Sequence, residues 1–244
     1  MNDKSFSDAS RAEQFLGLFN EIEQEFRSRL LTDEHKSFFE VVDTLSDRDQ
    51  AVRHYARKLK MYAGLRNVIV HGNKTNGQVV AEPNEFALDE FTRIKEKVLA
   101  PKKVFPDLLN HRPEKIDADD LISAALMIFK EKKYSQILVY RNNAYIGMLR
   151  TMTIASWLAN YPETDLINLH NFKVQEILSF DDKERNEIFR SVEVNIFEVL
   201  EIFQKNEVSN VKVDSIIITD NGRSSGNPRT IITEWDLPKI LKNV

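Results

Sequence analysis

The 244-residue chain contains no cysteine. Disulfides, thiolate zinc sites and a cysteine nucleophile are therefore excluded, and the composition suits a reducing compartment. The five histidines, His35, His54, His71, His111 and His170, are scattered. None forms a paired spacing such as HExxH, so no metal site is expected. Long apolar runs are missing too. No window approaches the run of about 20 apolar residues that a transmembrane helix needs, and Met1-Asn2-Asp3-Lys4-Ser5 lacks the apolar centre of a signal peptide. A cytoplasmic protein with no membrane partner is the expectation. There is no excess of positive charge either. A net charge of −4 argues against nonspecific coating of nucleic acid and leaves room only for a local basic site.

The composition that is present, 42% hydrophobic and 30% charged residues, describes an ordinary globular chain, long enough for two modest domains. In the N-terminal half, Phe15, Leu18, Phe19, Ile22, Phe26 and Leu30 recur at three- and four-residue steps, which predicts an amphipathic helix over about 7–30. Phe38, Phe39, Val42 and Leu45 predict a short second helix. Ser46 with Asp49 three residues on is a capping-box signal for a third, running to His71 with Gly72 as its stop. Leu88, Phe91, Ile94, Val98 and Leu99 supply a fourth, ended by Pro101. Four helices with short connections predict a bundle.

The third helix is basic in an acidic protein. Residues 48–74 hold Arg48, Arg53, Arg57, Lys58, Lys60, Arg66 and Lys74 against one acid, Asp49. At roughly 100° per residue, Arg53, Arg57, Lys60, Gly64, Asn67 and His71 share one polar stripe. A charged stripe is ordinarily a solvated face, but this one ends at an imidazole. Arg66 falls instead on the apolar side, among Tyr55, Leu59, Tyr62 and Ile69. There it needs a partner, either a carboxylate such as Glu21 or Glu25 on the first helix or a ligand in a groove shared with a second subunit. Arg66 and His71 point roughly 140° apart on an ideal helix. Aiming both at one phosphate thus calls for unwinding near Gly72 or for two subunits.

Arg66-Asn67-Val68-Ile69-Val70-His71, followed at once by the loop Gly72-Asn73-Lys74-Thr75-Asn76-Gly77, resembles the Arg-polar-x-x-x-His signature of HEPN domains. Arg29–His35 and Arg48–His54 also place a His a few residues after an Arg, without that setting. Many HEPN domains are metal-independent endoribonucleases with the active site at a homodimer cleft, and others only bind nucleotides or partners. The resemblance implies that Arg66 stabilises phosphate charge, Asn67 orients it and His71 serves as base or acid. The chemistry is consistent: attack of a ribose 2′-hydroxyl on its own phosphate needs a proton acceptor and a fixed cation, and DNA, lacking that hydroxyl, is no substrate.

After Pro101 a Pro- and Lys-punctuated connector, residues 101–113, leads into a repeating order of elements. Helix 120–132 precedes strands 136–140 and 145–149, joined by Arg141-Asn142-Asn143-Ala144, and a helix through Trp157. Helix 195–205 then precedes strands 213–219 and 229–233, joined by a loop beginning Asp220-Asn221-Gly222, and a helix through Leu241. This helix-strand-strand-helix repeat over 114–244 (units 114–160 and 174–244) resembles a tandem CBS pair. The lines Tyr145-Ile146-Gly147-Met148-Leu149 and Thr230-Ile231-Ile232-Thr233-Glu234-Trp235-Asp236-Leu237 carry the resemblance. In that family a Thr or Ser with an Asp three residues later holds the phosphate and ribose of an adenine nucleotide. Thr233 and Asp236 match; the first unit has Arg150 and Thr153 at the equivalent places. Thr233 and Asp236 are equally the residues of a helix N-cap. The two readings are compatible, because a helix N-terminus also offers N–H groups to phosphate. Arg150 is expected to supply positive charge, with adenine against residues 192–195. Trp157 and Trp235 are expected in the core or at a dimer contact, and the polar 220–228 loop is expected to be a surface insertion.

The sequence thus predicts an α plus α/β chain. A four-helix HEPN-like domain (1–100), a linker (101–113) and a CBS pair (114–244) would form a homodimer with RNA as substrate and AMP, ADP or ATP as regulatory ligand. The alternative is a non-catalytic nucleotide-binding or dimerisation scaffold.

Overall fold

The computed structural model describes residues 10–30, 36–72, 80–161, 167–181, 187–209 and 213–244, with 206–209 described by backbone alone. They form two compact units. One comprises 1–102 with 195–201 and 243–244, the other 103–194 with 202–242.

Helices α1 (Arg11–Leu30), α2 (Phe38–Ser46), α3 (Gln50–His71) and α4 (Glu85–Leu99) belong to the first unit, which also takes in the first residues of a later helix through 195–201. The expected start of α1 at Ser7 lies outside them. Phe15, Phe19, Ile22 and Phe26 on α1 are fully buried or nearly so. The three phenylalanine rings meet Phe38 of α2, Tyr62 of α3 and Phe91 of α4, with centroids 4.6 Å apart for Phe19–Phe38 and 4.9 Å for Phe15–Phe91, and Tyr62 and Phe91 lie 4.6 Å from each other. One residue of the expected core of α2 is displaced: Phe39 is 41% exposed and Val41 is buried instead.

The capping box expected from Ser46 does not form, because Ser46 is the last residue of α2. Asp49 caps α3 itself, its Oδ1 accepting from the N–H groups of Ala51 (3.0 Å) and Val52 (3.1 Å). Its other oxygen accepts from Arg29 Nη1 at 3.0 Å, and the same guanidinium donates to the carbonyls of Val98 and Leu99 at the end of α4. One side chain therefore ties three helix ends together.

In the second unit two units of sheet repeat. β1 (Lys115–Asp117), α5 (Ile122–Lys132), β2 (Gln136–Arg141), β3 (Ala144–Arg150) and α6 (Thr151–Ala159) are followed by a 3-10 turn (Leu169–Asn171) and α7 (Val174–Leu178). Then come β4 (Glu187–Ser191), α8 (Ile196–Ser209), β5 (Ser215–Thr219), β6 (Pro228–Ile232), a 3-10 turn (Glu234–Asp236) and α9 (Leu237–Leu241). Each sheet has three strands, the first pair parallel and the second antiparallel. Both carry a register shift at the same place, after Val139 and after Ile218. The opening strand of each repeat, β1 and β4, and the short α7 are additions to the sequence reading. Short and edged with charge (Lys115, Asp117, Glu187, Arg190), these strands lack an apolar run to announce them.

The two central strands are apolar on both faces. Ile137 and Val139 of β2 face the helices with Leu149, Ile154 and Trp157, whereas Leu138 and Tyr140 pack with Met148 and with Ile217 of β5. The β2–β3 hairpin closes through Asn142 (φ 49°) and Asn143 (φ 62°), both left-handed, as a two-residue type I′ turn demands. The 220–228 connection is longer but well bonded. Asp220 and Asn227 exchange backbone and side-chain bonds, Asn221 Oδ1 accepts from Arg223 N–H, and Gly222 (φ 72°) sits against Ser191.

His54 gives this fold a pH signature. Its ring lies 4.7 Å from that of Tyr55 and 5.3 Å from that of Phe197. Burial first, then Lys97 and Lys58, hold its pKa below the ordinary 6.5. The unfolded chain therefore binds a proton that the folded chain refuses, and stability falls as pH drops through about 6.5. Urea unfolding followed between pH 7.5 and 5 should show a shallower loss for His54→Phe than for the parent; identical slopes would contradict this.

Candidate functional site

The second unit contains a hollow of about 400 Å³, within the range of small-ligand sites. Three features converge on it. Thr233, Glu234, Trp235 and Asp236 arrive directly after β6. Arg150 comes from the end of β3, and Lys133 to Gln136 form the turn that leads from α5 into β2. Lys133 ends α5 in the left-handed conformation (φ 55°), which swings the chain sharply toward the strand. His111, Pro113 and Glu114 complete the wall, with Leu138 and Ile231 as apolar floor.

At the turn after β6, Asp236 Oδ2 accepts from Thr233 N–H (2.9 Å) and from Thr233 Oγ1 (3.1 Å), and Asp236 N–H donates to the Thr233 carbonyl at 3.0 Å. This is the N-cap geometry expected of the pair. It leaves Asp236 Oδ1 without a hydrogen bond among the described residues, and Asp236 is part of the lining of the hollow.

Arg150 also lines the hollow but its charge is already matched. Nη1 donates to Asp181 Oδ2 at 2.8 Å, and Nη2 to Glu187 Oε1 at 2.8 Å and toward Asp214 Oδ2 at 3.5 Å. Arg150, Asp181 and Glu187 are each at most 14% exposed in the side chain. Burial opposes the guanidinium charge, yet the bond to Glu187 and the fields of Glu187, Asp181 and Asp214 outweigh it and raise the pKa. Arg150, expected to supply positive charge beside a phosphate, thus lines the hollow with three carboxylates around its guanidinium. The equivalent of Asp236 in the first repeat, Thr153, is 2% exposed, and its Oγ1 has no partner among the described residues.

Residues 192–195, expected beside adenine, do not line this hollow. Asn195 instead caps α8, its Oδ1 accepting from the N–H groups of Phe197 (2.9 Å) and Glu198 (3.1 Å). Trp157 is in the core as expected at 2% exposure, but Trp235 is 92% exposed on the rim. The wall from 111–114 and 133–136 was missed, since nothing in those polar residues marks them until the two sheets bring them beside β6.

In the helical unit Arg66, Asn67 and His71 do come together. α3 stays helical through His71, and the long arginine side chain spans the angular gap, placing Nη1 3.4 Å from His71 Nε2 and 3.4 Å from Asn67 Oδ1. Neither unwinding nor a second subunit is needed for this approach. The guanidinium carbon lies 5.9 Å from the centre of the Phe19 ring, and Nε is buried without a hydrogen-bond partner. The carboxylates suggested as its partners are engaged elsewhere, Glu21 with Lys95 and Glu25 with Arg29. No ion pair to Arg66 occurs among the described residues. Two cations of the basic stripe are paired, Arg53 with Glu201 and Lys60 with Asp43, and Lys58 beside it pairs with Glu90 at 2.7 Å. Of the loop that follows, residues 73–77 lie outside the described residues.

Among the described residues no helix is long and apolar enough to cross a membrane, and no group of three or more His, Asp or Glu side chains is arranged to hold a metal ion. Residues 105–160 match the CBS domain family. Solved structures similar to the chain include a CBS-domain hemolysin-like protein of Oenococcus oeni (21% identity, 62% of this chain and 96% of that one, TM-score 0.40). Another is the CBS domain of a bacterial CNNM/CorC family Mg2+ transporter in complex with ATP (17%, 66% and 100%, TM-score 0.41). A third is the CBS domain pair of protein MJ0100 with 5′-methylthioadenosine and S-adenosyl-L-methionine (17%, 58% and 97%, TM-score 0.41). Comparison with curated proteins gives no match.

Removing one member of a buried charge cluster strands the others. Arg150→Gln should therefore destabilise the second unit by about 3–5 kcal/mol, measurable by urea unfolding; a loss under about 1 kcal/mol would show that water already screens the three acids.

Proposed function

We propose that the chain is a ligand-responsive regulatory protein. In this reading 114–244 forms a CBS pair, second repeat included, that takes an adenine nucleoside or nucleotide in the hollow beside Thr233 and Asp236. The observation that carries it is the turn after β6: a hydroxyl and a carboxylate at the positions of the family's ligand-binding pair open onto a hollow of ligand size. The match of 105–160 to the CBS domain family supports it. Asp236 Oδ1 would accept from ribose hydroxyls, and the apolar floor of Leu138 and Ile231 suits a base. A ligand at 100 times its Kd adds about 2.7 kcal/mol to folded stability, so thermal melts with millimolar adenine ligands should rise. Asp236→Asn and Thr233→Val should each weaken binding at least tenfold, about 1.4 kcal/mol. No rise in the parent protein, or unchanged affinity in both variants, would refute the site.

A second reading concerns the helical unit, proposed as a HEPN-like domain that dimerises and cleaves RNA without metal. Its support is the approach of Arg66 Nη1 to His71 Nε2 with Asn67 alongside and no carboxylate claiming the guanidinium among the described residues. Arg66 would hold the phosphate, Asn67 orient it, and His71 move the proton of the 2′-hydroxyl. Ligand in the hollow would then regulate cleavage. Purified protein should cut single-stranded RNA in the presence of EDTA, and Arg66→Ala and His71→Ala should each lower the rate at least a hundredfold with unchanged circular dichroism. Absence of cleavage in the parent would leave a non-catalytic, adenine-ligand-binding scaffold, and equal cleavage in the variants would show that Arg66 and His71 are not the site.

A further inference from the structure

The end of α3 joins two groups that the nuclease reading uses separately. Arg66 Nη1 stands 3.4 Å from His71 Nε2 and 3.4 Å from Asn67 Oδ1. A guanidinium has N–H donors and no acceptor, and it keeps its charge throughout the working pH range of proteins. The imidazole nitrogen facing it is therefore the one with the lone pair, so the ring is neutral and carries its proton on Nδ1. A proton on Nε2 would set donor against donor, and a doubly protonated ring would also set cation against cation.

Both contacts are long. An N–H···O bond ordinarily spans about 2.7–3.2 Å, and a guanidinium bond to a phosphate closes to about 2.7–2.9 Å with roughly twice the strength of a neutral one. One nitrogen shared between two weak acceptors is thus readily drawn to an oxyanion. The rest of the side chain is anchored: Nε is buried, and the guanidinium carbon lies 5.9 Å from the centre of the Phe19 ring. Phe19 is itself 2% exposed and packed against Phe38 and Phe91. The backbone at His71 is closed by the bond from Gly72 N–H to the Val68 carbonyl at 2.9 Å, so the exchange needs side chains alone.

Resting on the reading of Arg66, Asn67 and His71 as a ribonuclease site, we propose that Arg66 is a reversible guard on the base. In the empty site it occupies the lone pair of His71 Nε2. A substrate phosphate draws the guanidinium away and opens that nitrogen to the 2′-hydroxyl, so the base is uncovered only when a phosphate is seated. His71 is then the proton acceptor, and Arg66 positions the ring before it holds the phosphate.

The test is the 15N NMR spectrum of the His71 ring in the full chain, assigned by loss of its signals in His71→Gln and recorded at a pH where the ring is neutral. The parent should show Nδ1–H as the dominant tautomer. Sodium sulfate, set against sodium chloride at equal ionic strength, should lower the Nδ1–H fraction by roughly half or more, because nothing then holds the proton on that nitrogen. Arg66→Met keeps an apolar stem against Phe19 and has no donor; its ring should show the lowered fraction from the start and no further response to sulfate. The sulfate titration of the parent stands by itself if that variant does not fold. A parent ring with its proton on Nε2, or an equal sulfate response in parent and variant, overturns the guard. RNA cleavage by the same samples separates the two claims. Cleavage by a parent whose ring carries Nε2–H overturns the guard and leaves the nuclease reading, whereas Nδ1–H with a sulfate response and no cleavage overturns the nuclease reading and the base role proposed with it.

Discussion

The clasp of Asp181, Glu187 and Asp214 on Arg150 governs the architecture of the second unit. The guanidinium belongs to the junction of β3 and α6 in the first repeat, while its acceptors come from the chain after α7, from the head of β4 and from the entry to β5. A buried cation with no partner would be intolerable, and one with three must stay where all three can reach it. What the cluster contributes is position more than stability: it fixes how the β1–β3 sheet meets the β4–β6 sheet. The apolar contact of Leu138, Tyr140 and Met148 with Ile217 fills the interface the clasp defines.

The same clasp sets the chemistry of the hollow. Arg150 is committed to its own acids, and Thr233 and Asp236 stand beside it in the lining. The turn after β6 therefore presents a carboxylate oxygen and a hydroxyl over an apolar floor, suited to a sugar and a base. In the proposed reading, structural and ligand-binding roles coincide at Thr233 and Asp236. The bonds that start the 3-10 turn fix the Asp236 carboxylate against Thr233, so on the proposed reading the cap would preorganise the site.

Much of this was legible because local rules sufficed. The three- and four-residue steps of Phe15, Phe19, Ile22 and Phe26, the Asn142-Asn143 turn and the apolar runs around Val139 and Ile217 each declare their element within a few residues. What escaped depends on residues distant in sequence. β1 and β4 are short and charged toward their ends, and each is held by an apolar central strand that accepts it in parallel. Arg150 looked like a free cation because Asp181, Glu187 and Asp214 lie 31 to 64 residues away. The Ser46 signal failed since the turn between α2 and α3 needs only 47–49, leaving Asp49 to cap. Arg66 and His71 were set apart by a helical wheel that tracks Cβ directions and ignores the reach of an arginine side chain, which crosses the gap.

The central claim is that the turn after β6 holds an adenosine-type ligand, and the most direct measurement is an amide-resolved NMR titration with adenosine. The account predicts that the backbone signals of residues 233–236 and the indole N–H of Trp235 shift together and saturate with one affinity, while the indole of Trp157 stays fixed. Shifts confined to residues 192–195, or none at all at millimolar adenosine, would contradict it.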